Sequence, residues 1–210
     1  MSSIPEIILA SQSPARATLL EQINLPFIVI PSEIDENDYE NKSSTPPQKY
    51  VLDISYKKAF FVASQLQFKL KDRIVIACDT IVVGPSHTII GKPLNRGDAE
   101  IMLRKLSGKF HEVLSGCTII IYPKKIKYQT VVSTKVNFRS LSEQEIYYYL
   151  ERDEWRNRAG GYAIQGLGAF LINNIKGDYF NVVGLPISWI WQTLWDHYGE
   201  QLLLIVHEKK

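Results

Sequence analysis

Ile74-Val75-Ile76-Ala77-Cys78-Asp79-Thr80-Ile81-Val82-Val83 decides how this chain is read. A nearly continuous apolar run of β-branched residues, closed by Gly84, has the character of a strand buried on both faces, as at the centre of an α/β sheet. Within it stands one carboxylate. Burying Asp79 there is costly without a cation or several hydrogen-bond donors, so what compensates it is the first question about function. The pattern leaves two answers open. Asp79 is a structural acid that caps a loop or pairs with a lysine, or it is a metal ligand or general base.

Upstream of this strand, the spacing predicts a helix from about Pro47 to Leu70, with Val51, Ile54, Phe61 and Val62 on one face. Lys58 falls inside that apolar stripe. Either its stem lies on apolar surface while the ammonium reaches water, or the ammonium serves an anionic ligand. Ile7 to Ala10 reads as a strand and Leu19, Leu20 and Ile23 as a helix, with Ser13 as N-cap and Pro14 at the first helical position. Ser11, Ser13 and Arg16 add hydroxyls and a guanidinium to the free N–H groups of that helix start. This is ordinary capping or an anion site. Phe27 to Ile30 is a further strand, followed by a loop from Pro31 to Pro47. Its acids Glu33, Asp35 and Glu36, with Asp79, offer the oxygen ligands magnesium prefers.

Downstream, Thr88 to Ile90 is a partner strand and Gly91-Lys92-Pro93 a turn. Glycine spacing and the missing hydroxyl rule out a Walker loop, leaving Lys92 as a solvated turn lysine or a phosphate contact. Asp98 to Leu106 forms a helix ended at Ser107-Gly108. Val113 to Ile121 and Tyr128 to Phe138 form a meander through Lys124, Lys125 and Lys127. Ser142 and Glu145 make a capping box. A glycine-rich stretch from Gly160 to Gly168, a strand from Phe170 to Ile175 and a last helix carrying Trp189, Trp191 and Trp195 at core spacing complete the chain. The alternation predicts an α/β fold with a mixed central sheet and flanking helices.

At 210 residues the chain fits one domain or two closely joined lobes. Met1 to Ile4 carry no basic residue and Pro5 and Glu6 follow, so the start does not read as a signal peptide. No run is long and apolar enough to span a bilayer. Cys78 and Cys117 sit in apolar runs, where reduced thiols acting as small hydrophobes are expected, and a cytoplasmic location with them. A net charge of +2 argues against a nucleic-acid surface. His87, His111, His197 and His207 lack zinc spacing, no Gly-x-Ser-x-Gly elbow is present, and Gly160, Gly161, Gly166 and Gly168 do not make a dinucleotide fingerprint.

Taken together, Leu9-Ala10-Ser11-Gln12-Ser13-Pro14-Ala15-Arg16, Asp79-Thr80-Ile81-Val82, Gly91-Lys92-Pro93, Leu106-Ser107-Gly108, Ala159-Gly160-Gly161-Tyr162-Ala163-Ile164-Gln165-Gly166 and Asn181-Val182-Val183-Gly184-Leu185-Pro186 resemble the Maf family of nucleotide pyrophosphatases. The blocks stand in family order. The resemblance implies a single Maf-like domain over residues 1–210, with two lobes around a cleft and a fold like the inosine triphosphate pyrophosphatases. It also implies a frequent homodimer and release of pyrophosphate from nucleoside triphosphates with Mg2+ or Mn2+. Residue by residue, it makes Asp79 the proton acceptor, Lys58 and Lys92 the phosphate-binding lysines, and Ser11 and Arg16 the first phosphate loop. Asp35 stands where the family usually has a glutamate and is the expected metal partner of Asp79.

Thr80 and Gln165 match the branch that resembles dTTP and UTP pyrophosphatases, and a glutamine amide can both donate to and accept from a pyrimidine edge. Ala15 departs from that branch, which usually has arginine here. Losing a guanidinium removes a fork of donors and leaves space, so a relaxed or shifted base selectivity is expected. Asn157-Arg158 likewise replaces the usual Asp-Lys. Two competing readings are a nucleotide-binding regulator of cell division without useful turnover and a pyrophosphatase for modified purine nucleotides. The first is disfavoured because every charged position implied by the resemblance keeps a compatible residue.

Overall fold

The structure, a computed structural model, describes residues 4–34, 45–66 and 72–207. The central run forms strand β3 (Arg73–Val83) of a seven-stranded mixed sheet. The other strands are β1 (Glu6–Leu9), β2 (Ile28–Val29), β4 (Ile89–Ile90), β5 (Phe110–Tyr122), β6 (Ile126–Phe138) and β7 (Ile172–Lys176). Their order is β2-β1-β3-β5-β6-β7, with β4 paired to β3 off this path. β1 runs parallel to both β2 and β3, as strands joined through helices do. The pairs β3–β5, β5–β6 and β6–β7 are antiparallel.

β5 pairs with β3 from Arg73 to Val83, so β1 and β4 must share the opposite edge. β1 occupies it along Arg73 to Ile76 and β4 along Val82 and Val83. Between them the edge is notched. Among the described residues no strand covers Ala77 to Ile81 on that side, and Asp79 lies at the middle of the gap.

Seven helices flank the sheet among the described residues: α1 (Pro14–Gln22), α2 (Pro47–Leu66), α3 (Arg96–Leu106), α4 (Glu143–Leu150), α5 (Tyr179–Val183), α6 (Ile187–Tyr198) and α7 (Gln201–His207). Alternation along β3 sorts its side chains between two faces. Ile74, Ile76 and Cys78 pack with Leu19 and Leu20 of α1 and Ile187, Ile190 and Leu194 of α6. Val75 and Ala77 pack with Ala59, Val62 and Ala63 of α2, and Ile81 and Val83 with Tyr50, Val51 and Ile54 of the same helix. Val82 joins a further core built from α3 and α4 around Leu103, Ile146 and Tyr149. The tryptophans of α6 are half-buried against the α1 side of the core, as their spacing predicted.

Three local readings are corrected. α3 begins at Arg96 rather than Asp98, because the Asn95 side chain accepts from the Asp98 N–H at 2.9 Å and so caps the helix earlier. Ser13 occupies the N-cap of α1 but its side chain makes no capping bond; its N–H donates instead to Ser11 Oγ at 3.2 Å. Cys78 and Cys117, expected as separate reduced thiols, are register partners whose sulfurs form a disulfide between β3 and β5. Their 39-residue separation in sequence hides a cross-strand Cα distance of 4.4 Å. The capping box is present as expected, with Ser142 and Glu145 bonded reciprocally at the start of α4.

Candidate active site

Asp79 is 9 % exposed and Lys58 is 6 % exposed, and the Lys58 ammonium donates to Asp79 Oδ1 at 2.7 Å. The lysine therefore turns inward rather than running its head to water. What permits this is Gly116, the register partner of Asp79 on β5. A Cβ at Gly116 would stand 2.2 Å from the carbonyl oxygen of Val51. Only a glycine lets α2 lie so close to the sheet, and that approach carries Lys58 to the carboxylate.

Thr80 points to the opposite face, where the loop after β1 and the start of α1 bring Arg16. Three different nitrogens of Arg16 are held: Nε donates to the carbonyl of Gly184 at 2.8 Å, Nη1 to Ser11 Oγ at 3.0 Å and Nη2 to Thr80 Oγ1 at 3.2 Å. Ser11 is itself buried. Gly184 ends α5 with φ of 130°, a conformation glycine adopts without strain, and there its carbonyl meets both Arg16 and, at 3.4 Å, Thr80 Oγ1. The notch makes the two clusters neighbours. Although Asp79 and Thr80 face opposite sides of β3, both lie on the same uncovered edge.

Lys92 is exposed in the loop after β4, whose Gly91 carbonyl accepts from the Gly160 N–H at 3.0 Å. Gln165 is exposed between the 3-10 turns Ala159–Gly161 and Gly166–Leu171. Ala15 is half-buried in the first turn of α1, next to Arg16. Asp35 and Glu36 lie outside the described residues, and Glu33 is exposed. Sequence reasoning missed Ser115, whose Oγ lies 2.8 Å from Thr80 Oγ1, and the carbonyl of Gly184. A lone serine in an apolar strand carries no signal of its own, and a backbone carbonyl carries none at all.

Among the described residues no group of three or more His, Cys, Asp and Glu side chains could hold a metal ion. A cation at the notch would thus take one described carboxylate, Asp79, and complete its shell with water and phosphate oxygens. That oxygen-only set fits magnesium or manganese. Hollows of about 390 and 640 Å³ lie elsewhere on the surface, one lined by Val83, His87, Lys135 and Lys176 and the other by residues of α3 and α4. Neither includes Asp79.

A mixed α/β sheet with an acid–lysine pair and an anchored arginine at one uncovered edge defines the class of protein. The chain matches the family model described as Maf-like protein over residues 6–197 and belongs to that family. It is 43% identical over 199 residues to the dTTP/UTP pyrophosphatase of Thermoanaerobacter sp., covering 94% of this chain and 100% of that protein. It is 44% identical over 191 residues to the protein of that name from Thermosipho africanus, covering 91% and 93%. With the Pyrococcus furiosus dTTP/UTP pyrophosphatase it shares 44% identity over 182 residues, covering 87% and 90%.

Proposed function

We propose that this protein hydrolyses nucleoside triphosphates of the dTTP and UTP type to the monophosphate and pyrophosphate. The observation that carries this reading is the buried Lys58–Asp79 pair at the notch, one residue along β3 from the arginine held by Thr80. A triphosphate laid across the uncovered edge meets Arg16 and the N–H groups at the start of α1 on one side and Lys58 on the other. Lys92 reaches it from the loop after β4.

In this reading a water oxygen attacks the α-phosphorus while Asp79 takes up its proton. The bond from the α-phosphorus to the bridging oxygen breaks, and pyrophosphate departs with the electron pair. Lys58 fixes the orientation of the Asp79 carboxylate, and the cations stabilise charge on the leaving group. Positioning and electrostatics do most of the work. A divalent metal, Mg2+ or Mn2+, held by Asp79 and Asp35, would add Lewis-acid stabilisation of the phosphate oxygens. Thr80, Gln165 and the space beside Ala15 govern which base is admitted.

The family model spans nearly the whole chain, which supports one domain whose two lobes meet at the notch. No described helix is long and apolar enough to cross a membrane. We place the protein in the cytoplasm, where its substrates are, and as a homodimer. A panel of nucleoside triphosphates, methylated bases included, assayed for pyrophosphate with Mg2+ or Mn2+, tests the activity. One pyrophosphate per monophosphate from dTTP or UTP is expected. Tight nucleotide binding without turnover of any of them would instead make the protein a regulator.

A further inference from the structure

The hydroxyl of Ser115 has one hydrogen-bond partner among the described residues, Thr80 Oγ1 at 2.8 Å, and the residue is 0 % exposed. Its proton cannot go to bulk water, so the direction of the bond follows: Ser115 donates and Thr80 accepts. Thr80 Oγ1 already accepts from Arg16 Nη2 at 3.2 Å, which fills its second lone pair. Its own proton is then left for the carbonyl of Gly184, 3.4 Å away. That carbonyl also receives Arg16 Nε at 2.8 Å. Thr80, Gly184 and Arg16 form a closed ring of contacts to which Ser115 is joined through Thr80, and every hydrogen-bonding capacity of the Thr80 hydroxyl is used inside the protein.

We propose that Ser115 and Thr80 are positioning residues for Arg16: Ser115 orients the Thr80 hydroxyl as an acceptor, and Thr80 sets the plane of the guanidinium. Thr80 then serves phosphate binding through Arg16, beside the base selection that its family position implies. The side chains come from adjacent strands in register, Thr80 opposite Ser115, so the acceptor is held by the most rigid part of the fold. A guanidinium restrained at three nitrogens loses little freedom when phosphate arrives, which is where preorganisation contributes affinity. The inference rests on the reading that Arg16 binds the triphosphate.

Two measurements separate it from that reading. Affinity for inorganic pyrophosphate, by calorimetry with Mg2+, reports the arginine without requiring turnover. Ser115→Ala and Thr80→Val, both nearly volume-neutral, should weaken it roughly fivefold and tenfold respectively, the usual scale for hydrogen bonds to a charged group. Thr80→Ser should restore wild-type affinity, and Thr80→Val/Ser115→Ala should be no weaker than Thr80→Val alone, because the two act in series. Turnover of UTP and GTP by the wild-type protein is the second measurement. Unchanged pyrophosphate affinity in both single variants, or additive losses, would overturn the proposal. Weakened affinity with no wild-type turnover of any nucleotide would leave the positioning role standing and remove the hydrolytic reading.

Discussion

Asp79 and Gly116 face one another across β3 and β5, and the absent side chain of Gly116 is what lets Lys58 reach Asp79. The obstacle to any larger residue is backbone, the Val51 carbonyl oxygen 2.2 Å from an added Cβ. Gly116→Ala must therefore push α2 outward as a unit. Overpacking of this kind costs about 2–3 kcal/mol, measurable as a lowered urea midpoint. Pyrophosphate release should fall further than the unfolded fraction explains, because Lys58 moves with the helix. Full activity in a destabilised variant would show that the close approach serves packing alone.

The Lys58–Asp79 pair separates stability from catalysis. Its side chains are only 8 % and 12 % exposed, so removing Lys58 takes from the Asp79 carboxylate a charged donor that little water can replace. Lys58→Met should cost roughly 3 kcal/mol for an uncompensated, nearly buried charge, and Asp79→Asn, which keeps an amide oxygen able to accept from Lys58, less. Lys58→Met/Asp79→Leu should recover much of that stability, since replacing both charges by apolar groups is often neutral. None of the three should release pyrophosphate. An active Asp79→Asn enzyme would remove Asp79 from the chemistry.

His111 gives the fold an acid-sensitive point away from the notch. Burial pushes its imidazole down to about 4 from an ordinary 6.5, with the ring packed against Phe138 and Nε2 2.7 Å from the Tyr162 hydroxyl. The unfolded chain takes up a proton here as pH falls through 6.5, while the folded chain resists until about 4. Between those values the unfolded state binds more protons, so stability is full above the upper value and falls as pH drops. The total loss is on the order of 3 kcal/mol. Denaturant titrations from pH 7 to pH 4 should show this slope, and His111→Gln should flatten it. An equal slope in both proteins would assign the acid sensitivity to other groups.

Much of the fold was legible because its signals are local. The apolar run at Ile74 to Val83, the helix start at Pro14 and the Ser142–Glu145 box each depend on residues a few positions apart. Asp79 stood out for the same reason, an acid in a strand otherwise apolar. The arrangement of the site is different in kind. That β1 and β4 leave a gap on one edge, that Asp79 and Thr80 face opposite sides of it, and that Ser115 lies opposite Thr80 all follow from strand order and register. Those are set by the whole sheet. The Cys78–Cys117 pairing was hidden the same way, each cysteine reading alone as a small apolar residue.

In the proposed function, Ala15 bears on which base the notch admits. It lies half-buried in the first turn of α1, beside the anchored Arg16, where the related branch usually carries a second arginine. Ala15→Arg places a further guanidinium at the same helix start. The added positive charge opposes the helix dipole there, and the first turn carries no acidic residue to offset it, so a stability loss of about 0.5 kcal/mol is expected. The gain is a fork of donors able to bond polar edges of base or ribose, where matching hydrogen bonds discriminate more strongly than shape. The ratio of kcat/KM for dTTP or UTP over purine triphosphates should rise roughly tenfold, a difference of about 1.4 kcal/mol in transition-state binding. Competition assays with paired nucleotides measure that ratio directly, independent of enzyme concentration. If it does not move while Gln165→Ala collapses it, the selection lies with Gln165, and the space beside Ala15 is neutral to the base.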